Sequence, residues 1–227
     1  MNSKRHIFLT FILLIASILF FGFSSLDKTV QDLFYNSNSQ EWLLDKHLEP
    51  YKFIFYDGIK KLLILFALSI LIALLFFRRK ELVQHYKRGL LIVLLSAIFI
   101  PLITGALKKS TNMPCPKNEI HYGGIYPSTK VWEHYPKSFE QPSKIRCFPA
   151  GHASGGFALL SLFFLFKSRR NKIKALILAL SVGWSMGMYK MMIGDHFLSH
   201  TIITMLLAWL IVLIIASLLK EKEKPKV

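Results

Sequence analysis

Three stretches of this sequence hold side chains that can bind an anion or move a proton. The first, Lys108-Lys109-Ser110-Thr111-Asn112-Met113-Pro114-Cys115-Pro116, closes an apolar run with two ammonium groups. The second, Cys147-Phe148-Pro149-Ala150-Gly151-His152, ends a polar loop and opens an apolar segment. Small residues after a proline let backbone N–H groups crowd at a helix start, where unpaired donors and the helix dipole favour negative charge. A histidine there can hand a proton to a leaving oxygen. The third stretch runs from Tyr189-Lys190 through Gly194-Asp195-His196 to His200. Lys190 follows an apolar run and so sits at or near membrane depth, where a charge is a functional candidate by default. His196 and His200 are four residues apart, which on a helix puts them on one face. Taken singly, each stretch has a plainer reading, such as a helix cap or a lysine snorkelling to the headgroups. The three together change the odds.

The elements that must hold these residues are apolar. Of 227 residues, 53% are hydrophobic and the mean hydropathy is +0.42, too apolar for an ordinary soluble domain. The formal charge of +16 would suit nucleic acid, but the basic residues fall in short clusters between long apolar runs. That pattern reads as membrane topology. Two cysteines exclude a disulfide-rich scaffold. Six spans are expected, at 7–23, 59–77, 89–107, 149–166, 175–193 and 197–219, each near the 17–25 residues a crossing needs. The first is read as an uncleaved helix, because no small-x-small cleavage site follows it clearly. The fold expected is an all-α, polytopic bundle forming one integral membrane domain over 1–227, with outer loops at about 24–58 and 108–150. Segment 24–58 is expected to carry short amphipathic helices, with Trp42 in a headgroup belt.

Loop charge sets the orientation. The N-terminus, 78–88, 167–174 and the tail together hold 16 of the 29 lysines and arginines and only Glu81, Glu221 and Glu223 of the 13 acids. The positive-inside rule makes both termini cytoplasmic. All three chemistry-bearing stretches then meet at the outer face.

These stretches resemble the signature of the type 2 phosphatidic acid phosphatase family of membrane lipid phosphatases, Lys-x6-Arg-Pro, Pro-Ser-Gly-His and Ser-Arg-x5-His-x3-Asp. Here they read Lys108-x6-Cys115-Pro116, Pro149-Ala150-Gly151-His152 and Tyr189-Lys190-x5-His196-x3-His200. The likeness covers most of the chain, from about residue 59. Five positions depart from it: Cys115 and Lys190 stand for arginines, Ala150 and Tyr189 for serines, and His200 for the aspartate. The resemblance implies a phosphohistidine mechanism without cofactor or metal. His196 is the implied nucleophile, His152 the acid, and His200 sits where the orienting aspartate belongs. Lys108, Lys190 and the backbone at Gly151 are the implied phosphate ligands, and Lys109 is the candidate for the charge missing at Cys115. Lysine lacks the bidentate fork of arginine, so phosphate is held less rigidly.

The implied substrate is a lipid phosphate in a bacterial inner membrane, attacked from the periplasm. Leu26-Asp27 and Phe34-Tyr35-Asn36 also resemble bacterial lipid A phosphatases, which favours lipid A. Isoprenyl diphosphate, phosphatidylglycerophosphate, phosphoryl transfer to another lipid and non-enzymatic lipid binding stay open, as does a zinc site from His152, His196 and His200. Oligomeric state is not legible. Cys115 and Cys147 border two phosphate-site stretches and face an oxidising compartment, so a disulfide between them is expected.

Overall fold

A computed structural model describes residues 3–219 of the chain. The charged tail invoked in the orientation argument lies outside the described residues. Helices dominate: α1 (Ser3–Phe23), α2 (Leu26–Asp32), α3 (Gly58–Phe76), α4 (Glu81–Ser110), α5 (Gly151–Ala158), α6 (Arg169–Met192) and α7 (Leu198–Leu218). Five of them, α1, α3, α4, α6 and α7, are long and apolar enough to cross a membrane. The α1 and α3 helices turn most of their leucines, isoleucines and phenylalanines outward. A helix apolar all round finds its solvent in lipid. The fold is an all-α membrane bundle.

The expected span at 149–166 is shorter than its neighbours. It consists of α5 followed by a 3-10 segment, Leu159–Phe164. Together these rise about 24 Å, short of the roughly 30 Å hydrocarbon core. The segment can be short because it is enclosed. Ile92, Ile100, Phe157, Ala179, Ala208 and Val212 form one buried cluster around it. A Cβ on Gly156 would lie 2.7 Å from the Gly183 Cα of α6, so the two backbones touch where only glycine fits.

The two ends of the bundle differ. At one end Lys167 bonds His85 at 2.8 Å, and Ser3 bonds Ser217 at 3.0 Å. Arg88 donates there to the Leu219 and Ala216 carbonyls at 2.7 and 3.0 Å, giving α7 a cationic C-terminal cap. At the other end the Asp27 carboxylate accepts from the Ser199 backbone N–H at 2.8 Å and caps the α7 N-terminus. Gln31 donates to the Met191 carbonyl at 2.8 Å. The basic loops thus gather opposite the end that carries the three stretches. Because α5 starts below that end, its N-terminus is sunk into the bundle.

Segment 24–58 differs in part from its expectation. It holds α2, a two-residue-per-strand hairpin and a π-helical turn, Phe53–Asp57. The hairpin pairs Tyr35 with Trp42 across β1 (Tyr35–Asn36) and β2 (Glu41–Trp42). Asn36 Oδ1 accepts from the Asn38 and Ser39 N–H groups, which fixes the turn between the strands. Trp42 has a packing role in the fold. It packs on Tyr35 and Tyr122 and fills the space beside Gly194.

The charge asymmetry predicts a sidedness. A reporter that works only outside the cytoplasm should be active when fused after Lys130 and silent after Lys172. The opposite pair of results would invert the bundle.

Candidate active site

Each chemistry-bearing side chain sits where an element stops. The buried face of α4 runs Ile92, Ser96, Ile100, Thr104, and Lys108 continues that four-residue repeat. Its ammonium reaches the start of α5, where a Cβ on Gly151 would lie 4.0 Å from Lys108 Nζ. The N-terminus of α5 is held from two sides. Thr111 Oγ1 donates to the Phe148 carbonyl at 2.5 Å, and the Ala150 N–H donates to Thr204 Oγ1 at 2.9 Å. Thr204 thus supplies a hydroxyl beside the position where the resembling signature has serine. It bonds the backbone N–H of Ala150, the residue before α5.

Helix α6 ends at Met192. The N–H groups of Asp195 and His196 return to the Lys190 carbonyl at 2.8 and 3.2 Å, and Gly194 takes φ +72°, a left-handed turn glycine makes without strain. That turn aims Asp195 back over Lys190. Asp195 Oδ2 accepts from Lys190 Nζ at 2.8 Å, and Oδ1 from Lys117 Nζ at 2.6 Å. Burial works to raise the Asp195 carboxyl, but the Lys190 charge and the bonds from both lysines outweigh it and hold it below its ordinary value. Lys190 is itself buried, with its ammonium 4.7 Å from the centre of the Tyr56 ring, a cation–π contact.

The histidines converge. His196 and His200 are fully buried, with their Nδ1 atoms 3.4 Å apart. The His152 and His196 ring centres lie 5.9 Å apart, and Tyr56 packs edge-on to His152 at 4.9 Å. His196 Nε2 has no hydrogen-bond partner. Burial first, then His200, Lys108, His152 and Lys190, hold the His196 imidazole well below its ordinary pKa. It is therefore neutral at physiological pH, with one ring nitrogen available as a lone-pair donor. On the side of His152 and Lys108 opens an apolar cavity of about 490 Å³, walled by Leu63 and Ala67 of α3, Ala97 and Pro101 of α4, and Gly155 of α5.

A family model described as PAP2 superfamily matches residues 89–224. The chain belongs to that superfamily. It is thereby a phosphatase of phosphate esters. Neither a curated protein nor a solved structure matches significantly.

For this PAP2 protein the structure brings together His152, His196, His200, Lys108, Lys190 and Gly151. Lys109 is exposed, and no hydrogen bond or ion pair joins it to the cluster among the described residues. The four-residue repeat of α4 carries a signal for this: it points Lys108 inward and Lys109 away. Lys117 takes part instead. It lies two residues beyond Cys115, and its N–H donates to the Gly194 carbonyl at 3.0 Å. Sequence reasoning missed Lys117, Tyr56 and Thr204. The Cys115–Cys147 disulfide is present, with Cα atoms 5.2 Å apart. His152 does not belong to the group with metal-ligand geometry. The converging atoms are those of Cys147, His196 and His200, and the Cys147 sulfur is engaged in the disulfide.

Lys117 and Lys190 share one carboxylate, so both are poised for an anion with more than one oxygen. Lys117→Ala should raise KM for a phosphate ester by roughly tenfold, the value of one bond to a charged group, with little change in kcat. Steady-state phosphate release checks this. A fall in kcat alone would remove Lys117 from substrate binding.

Proposed function

We propose that this protein hydrolyses a phosphate ester or diphosphate of a membrane lipid at the periplasmic face of a bacterial inner membrane, through a phosphohistidine. The observation that carries the reading is the apolar cavity that ends at His152 and Lys108. A lipid tail lies along Leu63, Ala67, Ala97 and Pro101, while its phosphate meets the lysines. Ligand pockets combine an apolar wall with a few convergent polar groups in this way.

His196 donates from Nδ1 to His200 Nδ1 in the tautomer that leaves Nε2 free. Nε2 then attacks phosphorus, and the P–O bond to the lipid breaks as His152 gives its proton to the leaving oxygen. Lys108, Lys190, Lys117 and the N–H groups at Gly151 balance the charge on the phosphoryl oxygens. The phosphate brings the negative charge that favours the imidazolium form of His152. Water, losing its proton to His152, then splits the P–N bond and restores His196. His200 orients His196 without the charge of an aspartate, so it stabilises the cationic ring less.

Lipid A is favoured by the resemblance at Leu26-Asp27 and Phe34-Tyr35-Asn36. Asp27 also has a substrate-independent task at the α7 N-terminus, so a lipid panel decides. Phosphate release from lipid A, isoprenyl diphosphate and phosphatidylglycerophosphate should be highest for lipid A and vanish in His196→Ala. His152→Ala should lose about 10²–10⁴-fold, while His200→Asp keeps or exceeds the wild-type rate. Near wild-type turnover in folded His196→Ala would sink the mechanism. Filling the cavity with Ala97→Trp should cut turnover of the preferred lipid at least tenfold and spare a short soluble phosphate ester. Equal losses on both would remove the cavity from tail binding.

A further inference from the structure

The paired histidines face a third ligand atom of the kind that binds soft metals. Cys147 Sγ lies 3.6 Å from His196 Nδ1, and His196 Nδ1 lies 3.4 Å from His200 Nδ1. All three ligand atoms fall within 4.8 Å of one another, on three buried residues. In a tetrahedral zinc site, bonds of about 2.3 Å to thiolate and about 2.05 Å to imidazole set sulfur and nitrogen about 3.6 Å apart and two nitrogens about 3.4 Å apart. The two separations that involve His196 match these values, and Cys147 Sγ and His200 lie within 4.8 Å of each other; three protein ligands would leave the fourth tetrahedral position to a further donor. Thiolate with imidazole is also the donor set that suits zinc among the divalent metals.

What keeps the set closed is the bond from Cys147 to Cys115. A sulfur in a disulfide is not a thiolate. We propose that reduction of the Cys115–Cys147 disulfide converts Cys147, His196 and His200 into a binding site for zinc or a similar divalent metal, and that the bound metal silences the phosphatase. The electron balance needs one dithiol: it gives two electrons and two protons to the disulfide, yields two cysteine thiols and leaves as its own disulfide. The metal then displaces the proton of the Cys147 thiol.

The ligands are held by bonds of their own besides the disulfide. Cys147 N–H donates to the Met113 carbonyl at 3.3 Å, and Thr111 holds the next carbonyl, that of Phe148. His200 stands in the first turn of α7, whose N-terminus Asp27 caps, and His196 is tied through its N–H to the Lys190 carbonyl. The silencing half of the proposal rests on His196 being the nucleophile. A metal on Nδ1 leaves the ring proton on Nε2, and the attacking lone pair is gone. The disulfide, on this reading, protects the catalytic pair from metal as well as holding the loop.

The two single-cysteine variants separate this from a structural disulfide. Both break the same bond, but Cys115→Ser leaves Cys147 as a free thiol and Cys147→Ser removes the ligand. Full-length purified Cys115→Ser should bind one equivalent of cobalt(II), with tetrahedral d–d bands and a thiolate-to-cobalt charge-transfer band that zinc displaces. Micromolar zinc should lower its phosphate release more than tenfold, and a chelator should restore it. Cys147→Ser and untreated wild type should show neither effect. Dithiol-treated wild type should follow Cys115→Ser, and it carries the test should a variant misfold. Absence of the charge-transfer band in folded, reduced protein overturns the site, as does equal cobalt uptake by both variants. Cobalt uptake is read without turnover, so uptake without inhibition would support the site and overturn only the role given to His196.

Discussion

The Cys115–Cys147 disulfide ties the loop that follows α4 to the segment that opens α5, and the site is assembled across that tie. The two cysteines are 32 residues apart, and closing such a loop removes about 3–4 kcal/mol of unfolded-state entropy. Its local effect matters more. Lys108 and Lys117 flank Cys115, while Gly151 and His152 follow Cys147, so the covalent bond helps to hold the cations beside the helix N-terminus. Arginine at 115 would make that tie by charge and hydrogen bonds, which phosphate itself competes for. A covalent tie leaves no such competition, and the arginine's charge is made up by lysines on either side.

Electrostatics then decides the resting state. Lys108, Lys117 and Lys190 crowd one region, and Asp195 is the carboxylate bonded to two of them. Burial first, and then its ring neighbours and the ammonium groups of Lys108 and Lys190, hold the buried His196 well below its ordinary pKa. A neutral His196 is a nucleophile and a charged one is not. On the mechanism proposed above the same lysines serve twice, once by keeping the attacking ring unprotonated and once by neutralising the oxygens of the incoming phosphate. Asp195 fits between these tasks. Its carboxylate holds Lys190 and Lys117 in place with two oxygens, as a phosphate would, and keeps the buried Lys190 from standing as an unpaired charge at membrane depth.

Residues that act through the chain's own periodicity were legible in the sequence. The spans announce themselves by length and apolarity, and His152, His196, His200, Lys108 and Lys190 by their distance from helix ends. The cysteine pair followed from what each residue borders. Residues that act through tertiary folding were not legible. Lys117 reaches the site because a loop N–H bonds the Gly194 carbonyl, and nothing local to 117 says so. Tyr56 lies in a π-helical turn more than 90 residues before His152, and its contact with that ring depends on where α3 packs. The packing of Trp42 was not legible either, because an aromatic in a polar segment suits a headgroup layer as well, and its close approach to Gly194 is made only by the fold. The short α5 span misled, since its apolar run continues past its helical end.

The family match and the site have different borders, and the difference bears on what the protein selects. Residues 89–224 match the family, and within them lie all three histidines, Lys108, Lys117, Lys190 and the disulfide. The phosphate chemistry is thus contained in the matched segment. The outer wall of the cavity is not: Tyr56, Lys60, Leu63, Ile64, Phe66 and Ala67 all precede residue 89. Helix α3 is also the span with the least buried surface, Ile70 being its buried residue. A wall made by a loosely packed, lipid-facing helix can shift or be replaced without disturbing the histidines, because no catalytic group stands on it. On the function proposed above, reaction and recognition are carried by separate parts of the chain: the reaction by a cross-linked core, and the lipid by the helix that this core leaves least constrained.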